Sequence, residues 1–323
     1  LKFKNNNLKI IFFSKKYNFL LKIISIIINY FKIKNYFKKR YDDNDIIYLD
    51  GYSLYFLISF TLFYFLSNKK KIKLILWLRY PITKSLKDKI LKFFIYKIYN
   101  LTNTIFLTEN KLLEKNIRKN FNKIRINKMP SLHNLGQYKK TKKINKKNLK
   151  ILCPGIYREE KYGSNLIKFI KNNSTKNFKV KISRNFKLEF RNLPQKYLKK
   201  LIFINDNLNY KNFINEVLKS DIILLPYKMP NYKYRTSGLF FESISLNKFT
   251  YVSNGTLMEK DLKKFDLINF GIKNWENLTI DAIFRNIKNK KNIRKLRNFS
   301  DYYKKINGPK SFSNKLIGLC EKF

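Results

Sequence analysis

The sequence predicts an α/β protein of two Rossmann-like domains facing a cleft. Three observations carry that prediction. Short apolar runs of strand length alternate with stretches of helical spacing through most of the 323 residues. A polar, lysine-rich segment, residues 138–150, divides the alternation into two series, giving an N-terminal domain over 1–138 and a C-terminal one over 149–323. The stretch 220–261 (SDIILLPYKMPNYKYRTSGLFFESISLNKFTYVSNGTLMEKD) reads as strand, loop, helix and strand, one βαβ unit around which the second series is organised.

The first series opens with a strand at 8–14 and a helix at 19–37, too apolar to be a linker and followed by no small-residue cleavage site of a signal peptide. A strand at 45–49 ends in the turn Asp50-Gly51. Asp43-Asn44-Asp45 precedes that strand instead of ending it, which argues against a metal-binding pair. Residues 52–66 are the most apolar stretch, about 15 residues against the ~20 that span a bilayer. A buried helix is expected there, with a membrane-inserted segment as the alternative. The strand at 72–78 ends at Arg79-Tyr80-Pro81. A basic amphipathic helix (86–100), a strand (104–108) with Glu109 after it, a helix (110–121) and a strand (124–126) complete the series.

The second series starts with a strand at 149–153 that stops at Pro154-Gly155, and a helix running to residue 170 follows. Strands are expected at 178–182 and 201–204, with 186–193 left unassigned, and a helix at 212–219. Asp221 to Leu225 has the uninterrupted apolar character of a buried parallel strand, and Pro226 ends it. A helix opens near Gly238, a strand follows at 249–252, and helices are expected at 258–265 and beyond Trp275.

An apolar fraction of 44% supports two sizeable cores. The formal charge of +49 is extreme and points to polyanions or anionic membranes. The lysines are spread along the whole length in a chain also rich in Asn, Ile, Phe and Tyr, so solvated basic faces are the first reading and surface affinity the second. Cys153 and Cys320 are the only cysteines and His133 the only histidine, which leaves no disulfide framework and no His-based metal site.

Ligands of open parallel sheets bind beyond the carboxyl ends of the strands. The loop from Tyr227 to Gly238 lies there. Thr236, Ser237 and Gly238 open a helix whose free N–H groups and dipole favour an anion. Gly238 allows a phosphate close to the backbone. Arg235 adds a rigid cation, and Glu242 offers a carboxylate to a vicinal diol such as a ribose.

These residues, DIILLPY…RTSGLFFESISLNKFTYVS, resemble the donor-binding segment of GT-B glycosyltransferases, in particular the retaining family 4 group. Glu242 matches the family's second motif glutamate, which contacts the nucleotide ribose, and the first would fall at Tyr234. The segment 155–163 (GIYREEKYG) resembles the family element whose Arg and Lys hold the donor diphosphate. Gly155 and Lys161 match, Ile156 stands at the Arg position, and Arg158 is a nearby substitute. Arg79 stands where the family often has a strand-ending His, and Lys15-Lys16-Tyr17-Asn18 replaces its glycine-rich acceptor loop. The resemblance also implies that the last segment, 311–321, packs back on the first domain.

The expected function is glycosyl transfer from a nucleotide-sugar to a cell-surface glycan or lipid-linked acceptor. By resemblance it proceeds with retention, without metal, and with no cofactor besides the donor. Arg158, Lys161 and Arg79 are the candidate catalytic cations. Gly155, Tyr227, Arg235, Thr236, Ser237, Gly238 and Glu242 are the candidate donor-binding residues. The expected location is cytoplasmic, peripheral at the inner membrane face, where basic helices meet anionic lipid. Two other classes compete: a basic nucleic-acid- or polyanion-binding protein without catalysis, and a membrane-anchored structural protein using 52–66. The first lacks any nucleic-acid motif, and its aromatic residues lie in apolar segments instead of among the lysines.

Overall fold

The structure is a computed structural model that describes residues 2–3, 6–10, 19–39, 42, 45–50, 53–67, 72–83, 85–121, 124–130, 149–155, 158, 161 and 163–323. The expectations for residues 11–18, His133, the linker up to residue 148, Ile156 and Tyr162 lie outside the described residues. The chain forms two compact units, Leu1–Ser131 with Lys310–Phe323, and Leu132–Pro309.

The first unit contains β1 (Lys2–Phe3), β2 (Asn6–Ile10), α1 (Phe19–Lys39), β3 (Ile46–Asp50), α2 (Leu54–Leu66), β4 (Lys73–Trp77), α3 (Leu86–Leu101), β5 (Asn103–Thr108), α4 (Lys111–Asn120) and β6 (Ile126–Lys128). The strands form one sheet in the order β1-β2-β3-β4-β5-β6, antiparallel only between β1 and β2. Side-chain caps start α2, α3 and α4: Ser53 accepts from Phe56 N–H, Ser85 from Asp88 N–H and Asn110 from Leu113 N–H.

Both faces of this sheet are covered, as a parallel sheet requires. Ile46, Tyr48, Ile75 and Trp77 point to one side, where Leu316 and Leu319 cover them and Phe312 stacks on Trp77 at 6.0 Å between centroids. Ile47 and Leu49 point to the other, among Ile33 and Phe37 of α1 and Phe56 and Phe60 of α2. The covering element on the first side is the last helix, which follows the whole of the second unit in sequence.

The second unit contains β7 (Leu149–Cys153), α5 (Gly163–Asn172), β8 (Phe178–Ser183), the short α6 (Lys187–Phe190) and α7 (Gln195–Leu198), β9 (Leu201–Ile204), α8 (Tyr210–Lys219), β10 (Ile222–Leu225), α9 (Gly238–Ser245), β11 (Phe249–Ser253), α10 (Leu257–Lys263), β12 (Gly271–Ile272), α11 (Ile280–Lys288) and α12 (Lys290–Asn307). The closing helix α13 (Pro309–Cys320) lies in the first unit from Lys310 onward. The second sheet is wholly parallel in the order β9-β8-β7-β10-β11-β12. The connection direction reverses between β7 and β10. The carboxyl ends of those two strands therefore flank the point where such sheets bind ligands.

Several elements differ from expectation. The first long strand begins at Asn6, two residues earlier than expected, and β6 sits two residues later than predicted. Residues left unassigned around 186–193 form helical turns over Arg184–Phe190. The apolar stretch expected as a buried helix is buried on one face only. Phe56, Leu57, Phe60 and Phe63 are inside, while Leu62, Phe65 and Leu66 are exposed. Among the described residues no helix is long and apolar enough to cross a membrane.

Candidate functional site

The carboxyl ends of β7 and β10 bring together most of the predicted donor-site residues. After β7 the chain turns through Gly155 at φ +94°, a conformation open to glycine and costly for other residues. Space imposes the same requirement. A Cβ on Gly155 would lie 2.8 Å from Lys161 Nζ and 2.9 Å from Leu239 Cδ1. The lysine ammonium thus sits directly over the Gly155 turn, and the first turn of α9 closes it from the other side.

The loop is fixed by backbone. Lys161 N–H donates to the Arg158 carbonyl at 2.7 Å, and Lys161 forms an antiparallel bridge with Tyr227, just past the end of β10. Lys161 Nζ also lies 5.6 Å from the centre of the Tyr227 ring. Tyr227 is 2% exposed and packs on Tyr232 with centroids 4.3 Å apart. It is a floor beneath the lysine. Burial, then the neighbouring Tyr232, hold its hydroxyl well above the ordinary value, with Ser237 and Arg158 opposing. The charge of Lys161 reaches Cys153 as well. Burial pushes that thiol up to about 12 and the lysine pulls the other way, leaving it an inert core residue.

Across from this turn α9 begins at Gly238, with Ser237 as N-cap. The Ser237 carbonyl accepts from Phe240 N–H at 3.0 Å and Phe241 N–H at 3.1 Å, but its side chain makes no capping bond. Helices α2, α3, α4, α8, α10, α11 and α12 all have a side-chain cap. The start of α9 has none, and its Leu239 side chain shares the Gly155 turn with Lys161. One turn further, on the same face as Gly238, stands Glu242. Burial alone raises its carboxyl to about 7. Arg235 precedes the helix with its guanidinium 5.3 Å from the Tyr232 ring centre, and Arg158 is exposed at the edge of the turn. Thr236 lies between Arg235 and the cap, half-buried.

Two features here were not read from the sequence. A small cavity of about 100 Å³ lies at the ends of β7, β8 and β9, lined by residues including Pro154, Gly155, Ser183, Ile204 and Asp206. The Ser183 hydroxyl donates to the Asp206 carboxylate, which this bond holds below its usual range. Ser183 and Asp206 each end a strand or its turn, the signal that would have marked them.

Arg79 stands in the other unit, past β4, in an ion cluster. Its Nε donates to Asp50 at 2.6 Å, its Nη1 is 3.9 Å from Glu109, and its guanidinium lies 4.3 Å from the Trp77 ring centre. Burial opposes its charge, but the bond and charge of Asp50, with Glu109 behind, more than offset this and raise its pKa. Asp50 is the last residue of β3, and Arg79 and Glu109 lie just past β4 and β5. They meet at one sheet edge because the strand order is β3-β4-β5. Among the described residues no group of three or more His, Cys, Asp or Glu could hold a metal ion.

No family model matches this chain, and no curated protein matches it by sequence. Solved structures do match. An α,α-trehalose-phosphate synthase (UDP-forming) from Burkholderia xenovorans aligns over 95% of this chain and 80% of its own, with a TM-score of 0.66 at 8% identity. HepE from Anabaena, solved in complex with UDP, aligns over 92% and 82%, with a TM-score of 0.65 at 10% identity. The fold is GT-B. A glycosyltransferase from Rickettsia africae aligns over 96% of this GT-B chain and 83% of its own, with a TM-score of 0.63 at 14% identity.

Proposed function

We propose that this GT-B protein is a nucleotide-sugar-dependent glycosyltransferase of the family 4 type, acting with retention and without metal on a glycan or lipid-linked acceptor. The observation that carries the reading is the position of Lys161. Its ammonium lies over the Gly155 turn, against the first turn of the side-chain-uncapped α9, at the switch point of a parallel sheet. That is a cradle for a diphosphate: one cation, helix N–H donors, and a glycine that admits the phosphate.

Transfer of a sugar leaves negative charge on the departing diphosphate. Groups that strengthen their hold as that charge grows lower the barrier. Lys161 and the α9 N–H groups are placed for that role, with Arg158 and Arg235 as outer cations. Tyr227 supports Lys161 from below. Glu242 accepts from the ribose hydroxyls, and Thr236, Ser237 and Gly238 line the approach to the phosphates. Arg79, braced by Asp50 and Glu109, is the acceptor-side cation. No cofactor besides the donor is invoked. The UDP-bound and UDP-forming neighbours make UDP the first nucleotide to try. The enzyme works in the cytoplasm, peripheral at the inner face of a membrane.

A thermal-shift screen of nucleoside diphosphates and nucleotide sugars tests this. A ligand of the folded state at about a hundred times its Kd adds about 2.7 kcal/mol of stability. A raised melting temperature with one diphosphate and its sugars, unaffected by chelator, is expected. No shift with any member of the panel would sink the donor site.

A further inference from the structure

Among the described residues, most of the large apolar side chains left exposed are gathered on α1, α2 and α3. On α1 they are Ile24, Ile27, Ile28 and Phe31, spaced i, i+3, i+4, i+7, which is one stripe of a helix. This stripe is additional to the one that packs inward. Ile33 and Phe37 lie on the opposite side of α1, where Phe37 meets Phe63 of α2 with centroids 4.6 Å apart. On α2 the exposed residues are Leu62, Phe65 and Leu66, and on α3 Leu86, Ile90 and Phe93.

The three helices form one layer. α1 packs on α2 and α2 on α3, and the Ser59 hydroxyl of α2 donates to the Ile26 carbonyl of α1 at 2.9 Å. Phe31, Phe65 and Phe93, each more than half exposed, mark the three helices in turn. Charge on this layer has one sign. α2 has no charged residue, and the only acid in the three helices is Asp88, whose carboxylate already accepts from Thr83 N–H at 2.8 Å. Exposed lysines border the apolar stripes: Lys32, Lys34 and Lys38 on α1, Lys87 and Lys89 on α3.

We propose that the outer face of α1–α3 lies flat on an anionic lipid bilayer, its apolar stripes inserted at the headgroup boundary and its lysines among the anionic headgroups. Lysines flanking Phe, Leu and Ile on helices too short or too polar to cross suit a surface-lying mode. A second copy of the chain would set the same lysines against each other. A nucleic acid would gain little from a face on which seven of the ten exposed side chains are Ile or Leu, with no ring for a base to stack on. The inference rests on the membrane-peripheral reading above and changes its physics. Lysines alone would hold the protein only at low salt, whereas inserted side chains hold it at any ionic strength.

The test is flotation of the full chain with vesicles of phosphatidylcholine containing phosphatidylglycerol, at low salt and at about 1 M salt, where screening reaches only about 3 Å. The parent is expected to stay on the vesicles at both. A Phe31→Ser/Phe65→Ser/Phe93→Ser variant, altered only at exposed positions, is expected to lose at least tenfold of the high-salt binding. It should keep the parent's melting temperature and nucleotide-induced shift. Separately, Phe65→Trp fluorescence should be quenched by lipids brominated in their acyl chains. Release of the parent at high salt would leave the peripheral reading standing and overturn this face. Equal binding by parent and triple-serine variant, with Phe65→Trp unquenched, would also overturn it. Failure of the parent to bind any vesicle would overturn both, and a concentration-dependent dimer that the triple substitution abolishes would overturn this face. The nucleotide shift reports the donor site independently of all these outcomes.

Discussion

The two sheets end differently at their carboxyl edges. In the first unit, Arg79 is held by Asp50 at 2.6 Å with Glu109 behind it, so the cation has protein acids as partners. In the second unit, burial alone raises Glu242 to about 7, and α9 starts without a side-chain cap. One edge satisfies its charged groups internally, although Trp77 Nε1 and Thr108 Oγ1 there are buried without a hydrogen-bond partner. The other keeps a desolvated acid and open backbone donors. Desolvated groups without compensation are costly to a fold, and they are retained where a ligand supplies the missing partners. The same chain thus shows a braced edge and an open one.

Four substitutions test this contrast. The largest effect is expected from Lys161→Ala, which removes the cation from the open edge. Turnover should fall by about 10²-fold, the scale for losing one donor aimed at developing charge. Steady-state kinetics with the donor found by thermal shift will read it, and parent-like turnover would remove Lys161 from the mechanism. Gly155→Ala comes next. Its φ of +94° and the 2.8 Å approach of Lys161 Nζ make a methyl group unwelcome. Denaturant unfolding should show a loss of about 1–2 kcal/mol, together with weaker nucleotide binding.

Glu242→Gln gives a pH signature. A carboxylate accepts two ribose hydroxyls and its protonated form does not, so nucleotide affinity of the parent should rise as pH rises through about 7. The variant should bind about tenfold more weakly at high pH, the scale of a hydrogen bond to a charged group, and show a flat profile in calorimetric titration. Stability runs the other way. The folded-state pKa is raised, so Glu242 is neutral and without penalty below its unfolded pKa. The parent then loses stability as pH rises from about 4.5 to about 7, and Glu242→Gln abolishes that slope. The smallest effect belongs to the braced edge. Asp50→Asn should cost no more than about 1 kcal/mol, since both side chains of the pair are partly exposed. A larger loss would mean that the first unit depends on this pair more than its exposure suggests.

Much of the second unit was legible because its strands are short apolar runs closed by Pro, Gly or Ser, and because a Thr-Ser-Gly start announces α9. The Gly155 turn was legible for the same reason, although only the coordinates show Lys161 Nζ folded over it. What was not legible depends on strand order. Asp50 and Glu109 are far from Arg79 in sequence and become its partners only when β3, β4 and β5 line up. The lysines were read as solvated, yet Lys248 is buried. It donates to the carbonyls of Leu218 at 2.8 Å and Ser220 at 2.5 Å, closing the end of α8. Burial pushes its ammonium down to about 8, with Asp221 opposing. Nothing in a lysine-rich sequence distinguishes that one lysine. Helix α2 failed differently: with apolar residues on every side, its pattern does not say which side faces out.

The return of α13 to the first unit has a consequence for synthesis. The face of the first sheet formed by Ile46, Ile75 and Trp77 is covered by Leu316 and Leu319, residues made after the entire second unit. At about 5–20 residues per second, the ribosome adds the intervening chain over ten seconds or more. During that interval the earlier half waits with an open apolar face, and the later half, complete at Pro309, can close before Leu316 and Leu319 arrive. The order of completion on the ribosome is therefore the reverse of the order of translation.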